Sequence, residues 1–443
     1  MKKTALSVAA MAVIVSSGIL VVPTLLTSNP AAVVNAASSP SASLFVSQKA
    51  GDPGILQAVQ NGFSQAHDLK VTDQGFTLEV KEVVADPLRI SIIAGVKDKD
   101  GKPSDVYWDN FHVPTHEYQE IIIKDKAGKE LQSASSNQKS WKTKQISDYI
   151  LFEHELRSYF ADESKLPDEL FVEFHMKKMG STNGNWKLSV PVDLKKAKSA
   201  TKTVKINQSY TSPQGFQFDL REMTFAPSGT EVVIDTNNKY FSYQFVDEKG
   251  AVLGAWDSAV AIHDASIHKN VINTMKWRES IPVEKGQRQF FYFHDLKEEK
   301  GLAFQLKAVY TEEAAGFSVK LDPATLGAKP VTAEKNGTSF TFHQISKGSR
   351  EDRYNIAFEG TLAQGIVGIF PFDTWYVTDE QGNKYNAVCH VEETTNQNGR
   401  MKVSGNLEIE EMKSLPKQMT ITFDKMLKEH RDVSFAVPLL TGK

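Results

Sequence analysis

The stretch Gly75-Phe76-Thr77-Leu78-Glu79-Val80-Lys81-Glu82-Val83 constrains the fold more than any other, because its pattern returns at residues 215–223 and again at 337–345. Three copies imply three similar units. One apolar column reads Leu78, Phe218, Phe340 and the next Val80, Leu220, Phe342, with Glu79, Asp219 and Thr341 between them. Alternation of this kind is a strand with one buried face. The following apolar column, Val83, Met223 and Ile345, comes after three residues instead of two, so each copy slips phase at the same place, as at a β-bulge.

Other landmarks recur in the same order. Residues 88–95, 231–236 and 354–360 supply a second strand. Asp125 and Gly128, Asp247 and Gly250, and Asp379 and Gly382 each bracket two polar residues between apolar runs. That spacing predicts a hairpin, with Asp accepting bonds from the turn backbone and Gly in the left-handed region. Residues 150–156, 289–296 and 402–409 alternate as strands, and 166–174 is echoed by 415–423 and more loosely by 301–306. The units end at 186–194, 317–321 and 433–440. Seven or so short strands per roughly 110–130 residues, with hairpin turns and no helical period, predict a β-sandwich of immunoglobulin-like build. The expected fold is mostly β: three tandem immunoglobulin-like β-sandwich domains, at 69–198, 199–327 and 328–443, after an N-terminal signal peptide or transmembrane helix.

The N-terminus differs in kind. After Lys2 and Lys3 no charge occurs until Lys49, and residues 5–26 are predominantly apolar. Residues 1–36 read either as a signal peptide cut after Ala36 or as an uncleaved anchor, since the apolar run is about the ~20 residues needed to span a bilayer. Either way the rest of the chain is exported, to the cell surface or outside the cell. Residues 37–68 read as a flexible spacer and a short amphipathic helix, with Ile55, Leu56, Val59 and Phe63 at helical spacing behind Asp52 and Pro53, broken at Gly62.

Composition excludes several classes. A formal charge of −3 and a pI near 6.4 offer nothing to nucleic acid. Cys389 is the only cysteine among 443 residues, which rules out an intrachain disulfide and a cysteine zinc cluster. No Gly-rich phosphate loop, nucleophile-elbow serine or HExxH helix is present, so the chain is expected to be no enzyme and to need no cofactor. Cys389-His390 are adjacent, which is no nucleophile–base pairing. His263 and His268 match no standard metal spacing, and Glu153, Glu155, Asp168, Glu169, Glu392 and Glu393 isolate no acid pair.

The candidate binding feature comes from spacing. Gly128 to Gly215 and Gly250 to Gly337 are both 87 residues, whereas opening glycine to hairpin glycine takes 53, 35 and 45 residues in the three copies. Length varies where loops are free to differ. The longest insertion, residues 97–116, holds Tyr107, Trp108, Phe111, His112 and His116, a candidate partner-binding loop. Pro114 argues against a helix that would align His112 with His116 for a metal. The basic run Lys195, Lys196, Lys198, Lys202 and Lys205 reads as a solvated linker or as a contact for anionic polymer or lipid.

The passage 55–63 with its sequel 71–83 resembles the extracytoplasmic domain-of-unknown-function family of membrane-anchored, anti-sigma-factor-like surface proteins of Gram-positive bacteria, often followed by an immunoglobulin-like domain of unknown function. Those proteins generally carry a cytoplasmic segment ahead of the membrane helix. Here three residues precede the apolar run, and no His-x-x-x-Cys-x-x-Cys motif occurs. The resemblance implies a surface location and a binding or sensing role, with a cell-envelope polymer or membrane protein as partner; it does not carry transcriptional control with it. The alternatives are a wall-glycan hydrolase with a hidden Asp/Glu pair and a structural spacer.

Overall fold

The computed structural model describes residues 43–104, 119–131, 142–156, 159–160, 165–258, 275–294, 296–298, 300–348, 350–370, 374–397 and 400–439. The fold is mostly β, in antiparallel sheets. The first repeat contributes two. One has the order Ser64–Asp73, Phe76–Ala85, Arg89–Lys97, Tyr149–Glu155, Lys142–Ile146; the other Gln119–Lys124, Glu169–Met179, Thr182–Asp193. Their inner faces meet in one apolar core that includes Leu78, Ile92, Phe152, Phe174 and Trp186. A third sheet runs Met275–Val283, Gly286–Phe293, Gly229–Thr236, Gln217–Ala226, Lys202–Thr211. The fourth, of twelve strands, is shared by the second and third repeats.

The repeated strand behaves as its phase slip predicts. Its pairing with the next strand skips between Val80 and Glu82, between Leu220 and Glu222, and between Phe342 and Gln344. The extra residue, Lys81, Arg221 or His343, is what restores the apolar face after the bulge. Leu78, Phe218 and Phe340 are buried, as are Val83 and Met223, while Ile345 is half-buried. One column departs from expectation. Glu79 and Glu82 of the first copy are both buried, and around Glu82 two helices, Leu44–Ser47 and Pro53–Gln60, cover the outer face of that sheet. Phe45, Ile55 and Val59 pack there against Val84, Ile93 and Leu151. Glu82 accepts the Leu44 N–H at 2.7 Å and the Ser64 hydroxyl, and Glu79 pairs with Lys81 at 2.9 Å and Lys97 at 3.1 Å.

The three hairpins share one geometry. Asp125, Asp247 and Asp379 each accept backbone N–H bonds from the residues two and four positions on, at 2.8–2.9 Å. Gly128, Gly250 and Gly382 have φ of 78°, 81° and 88°, a region costly for a residue with a Cβ.

Residues 301–306 and 317–321, expected as separate closing strands, form one continuous 19-residue strand, Ala303–Leu321. No reversal occurs between them, because the intervening residues are held against Met419–His430 from Val309 to Ala314. The strand's first half pairs with Phe241–Val246 and its second half with Met419–His430. Among the described residues no helix is long and apolar enough to cross a membrane. The apolar run at 5–26 lies outside them.

Candidate functional site

Tyr107, Trp108, Phe111, His112 and His116 lie outside the described residues, as do His263 and His268. What is described is the frame of the first insertion: it leaves the first sheet at Lys97, which bridges Pro103, and rejoins the second sheet at Gln119–Lys124. The remaining sequence candidates are placed. Cys389 is buried and burial pushes its thiol well up, while His390, next along the strand, is exposed on the opposite face. Asp168 pairs with Lys198 at 2.7 Å and is held below the usual carboxylate range by it, and Glu169 pairs with Lys126 at 3.3 Å. Glu153 reaches Arg89 at 3.4 Å. Most of the basic run is engaged: Lys195–Ala200 is a helix with Ala197 buried, Lys196 donates to the Gly62 carbonyl at 2.6 Å, Lys198 pairs with Asp168, Lys202 with Glu298 and Lys205 with Glu222.

A polar face on the third repeat does bring chemistry together. Strands Thr338–Lys347, Tyr354–Thr361, Arg400–Ile409 and Lys384–Gln397 lie side by side. Their register aligns Thr341, Glu359, Ser404 and Glu393 in one row across the sheet, and Ser339, Thr361, Lys402 and Thr395 in the next. These side chains line an open hollow of about 330 Å³. Adjacent strands lie about 4.8 Å apart, so the backbones carrying Glu359 and Glu393 are roughly 10 Å apart with Ser404 between. The hollow's far side is core: Phe340, Phe342, Phe358 and Val403 alternate inward with these polar residues. Hydroxyls that both donate and accept, two carboxylates that accept and one ammonium that donates make a hydrogen-bonding surface suited to a polyhydroxylated ligand. Sequence reading passed over it because outward Ser and Thr on a strand look like an ordinary solvated face.

A cleft of about 570 Å³ lined by Asn237, Lys239, Tyr240, Gln287 and Glu312 is chemically more self-contained. Glu312 pairs with Lys425 at 2.8 Å, Lys239 sits 4.8 Å over the Tyr240 ring, and that ring also packs on Phe370.

Sequence reading also missed a buried polar joint. Arg89, 2% exposed, donates to both carboxylate oxygens of Asp52 at 2.6 and 2.8 Å, to the Ser228 hydroxyl at 3.1 Å and to the Ser228 carbonyl at 3.2 Å. Asp86 accepts the Ser228 N–H at 2.7 Å, and the Tyr292 hydroxyl donates to the Ser228 carbonyl. The Arg89 guanidinium lies 4.7 Å from the Tyr292 ring centre. Burial opposes its charge, but Tyr292, Asp52 and Glu153 together hold it protonated beyond its ordinary range. Gly54 is required here, since a Cβ would fall 1.8 Å from the Ser228 carbonyl oxygen. The one visible signal was an arginine heading an otherwise apolar strand. With the Arg89 charge paired by Asp52 and Glu153 and its remaining donors on Ser228, the joint is a clasp between the first and second repeats.

Comparison with known proteins gives a sparse picture. The model of a family described as a domain of unknown function (DUF4179) matches residues 1–98. No curated protein matches. Among solved structures the chain is similar to the crystal structure of the conserved domain protein from Bacillus anthracis, with 10% identity over 79% of this chain and 91% of that one and a TM-score of 0.33.

Proposed function

We propose that this chain is a non-enzymatic, extracytoplasmic cell-surface protein, secreted or membrane-anchored through residues 1–36, whose three repeats are immunoglobulin-like β-sandwich units presenting a binding or sensing surface to the cell envelope. The observation that carries the binding role is the two-row polar face around Ser404. An apolar core fixes its strands from behind, so its donors and acceptors are held in place before any ligand arrives, which lowers the ordering cost of binding. The apolar N-terminal run supports the location, and the resemblance carried by residues 55–63 and 71–83 supports a kinship with the extracellular part of anti-sigma-factor-like proteins. The partner class that suits the face is a hydroxyl-rich envelope polymer. Retention of purified residues 37–443 on isolated cell-wall polymer tests this. A Ser404→Ala, Lys402→Ala double variant should lose most of the retention, and undiminished retention would reject the face as the site.

A second reading rests on the same row. Glu359 and Glu393 flank Ser404 on one face, the arrangement from which a hydrolase of wall glycan would draw an acid and a base. Release of labelled fragments from wall glycan, abolished by either Glu359→Gln or Glu393→Gln, would establish it. Absence of release from the wild-type chain would dismiss it.

A further inference from the structure

The closing strands of the second and third repeats are exchanged. In the first repeat Glu169–Met179 turns at Gly180 and returns as Thr182–Asp193, pairing Leu170 with Val192, Val172 with Val190 and Phe174 with Leu188. The later repeats have the same strands but no such return. Phe423, Ile421 and Met419 of the third repeat pair with Phe317, Val319 and Leu321, which belong by sequence to the second. Phe304 of the second repeat pairs with Val437, from the end of the third. The cores agree with the ladders. Phe317, Val319 and Leu321 are buried with Phe340 and Trp375, whereas Phe435, Val437 and Leu439 are buried with Phe245 and Phe304. Both donated strands carry the same pattern, Phe-x-Val-x-Leu, at 317–321 and 435–439.

We propose that residues 419–439 are an exchangeable arm and that the partner they fit is a second copy of this chain. The arm lies along one acceptor, the strand Ala303–Leu321, from Leu321 back to Ala303. It also pairs with Trp375–Asp379 and Ile366–Ile369. An arm from another copy makes each of these contacts unchanged, so the two arrangements differ only in the hinge and in effective concentration. The hinge is the segment between Arg400–Ile409 and Met419–His430, and it is strained: Glu411 has a φ of 58° and carries a side chain. Opening the hinge releases that strain, which favours exchange.

Full-length chain in a Cys389→Ala background, with Ser318→Cys and Thr422→Cys placed at cross-strand partner positions, reads out the arrangement on a non-reducing gel. Refolding from denaturant at micromolar protein should close the link within one chain. Refolding near the millimolar range, comparable to the effective concentration of a tethered segment, should raise the disulfide-linked dimer at least tenfold. The pair Glu173→Cys and Ser189→Cys spans the self-closed hairpin of the first repeat and should stay intramolecular at both concentrations. Glu411→Gly, by removing the hinge strain, should lower the dimer fraction. Light scattering of refolded wild-type chain supplies a readout that needs no cysteines. A wild-type chain that stays monomeric after concentrated refolding, or equal dimer from both cysteine pairs, would overturn the proposal.

Discussion

Removing the Phe340 ring should loosen the second repeat as much as the third. Phe340 is fully buried and meets Phe317, Phe358, Trp375 and Phe423 at ring-centre distances of 5.3 to 5.9 Å. Phe340→Ala deletes a buried aromatic side chain and leaves a cavity, a change that costs about 3–5 kcal/mol. Each ~1.4 kcal/mol is a factor of ten in an equilibrium constant, so amide protection that depends on unfolding this core should fall roughly 100- to 4000-fold. Because the arm bearing Met419–His430 also delivers Phe435, Val437 and Leu439 to the other core, the loss should appear equally in Phe241–Val246. Protection in Glu169–Met179 should not change, since among the described residues the first core draws on residues 69–194. Hydrogen exchange with mass spectrometry resolves the three regions. Full protection of Phe241–Val246 in the variant would refute the coupling.

Other outcomes are equally specific. Phe218→Ala should cost about 3–5 kcal/mol in urea unfolding, while Asp219→Ala, on the other face of the same strand, should stay within about 0.5 kcal/mol. Gly250→Val should lose more than ~1 kcal/mol from backbone strain alone, because its φ is 81° and nothing lies within 4 Å of the added Cβ. Arg89→Met should destabilise the joint by about 3–5 kcal/mol by leaving Asp52 in the joint without its cation; exchange at Pro53–Gln60 reports it. His67 is buried and held neutral down to about 4, against an ordinary 6.5. The unfolded chain therefore binds the proton first on acidification. The stability contributed is complete above pH 6.5 and is lost as pH falls toward 4, by about 3 kcal/mol in all. His67→Gln should flatten that part of the pH dependence of the urea midpoint.

The repeated strand was legible because burial on one face forces a period of two, and a slip in that period marks a bulge whatever the surroundings. The Asp-x-x-Gly hairpins were legible for the same local reason: one carboxylate and one left-handed glycine specify the turn. Strand exchange was not. Phe317 and Phe435 both announce an inward-facing strand, but neither says which core receives it, and that choice is made by ladders more than 100 residues apart in sequence. Arg89 was opaque because its partners, Asp52 and Ser228, come from a helix cap and a turn that local patterns treat as punctuation. The row through Glu359, Ser404 and Glu393 exists only through cross-strand register, which no single segment encodes.

The order in which residues 43–60 grip the body has a mechanical consequence. Phe45 is buried and the Leu44 N–H is held by Glu82; Asp52 follows, bound to Arg89 and through it to Ser228, and only then does Ser64–Asp73 begin. Tension entering from the N-terminal side must peel this strap before it reaches a sheet. When Asp52 lets go, the clasp on Ser228 slackens while both sheets are still folded. The segment is thus a fuse, and a single-molecule pull through residue 43 should register its release as a small early extension ahead of any strand's unfolding.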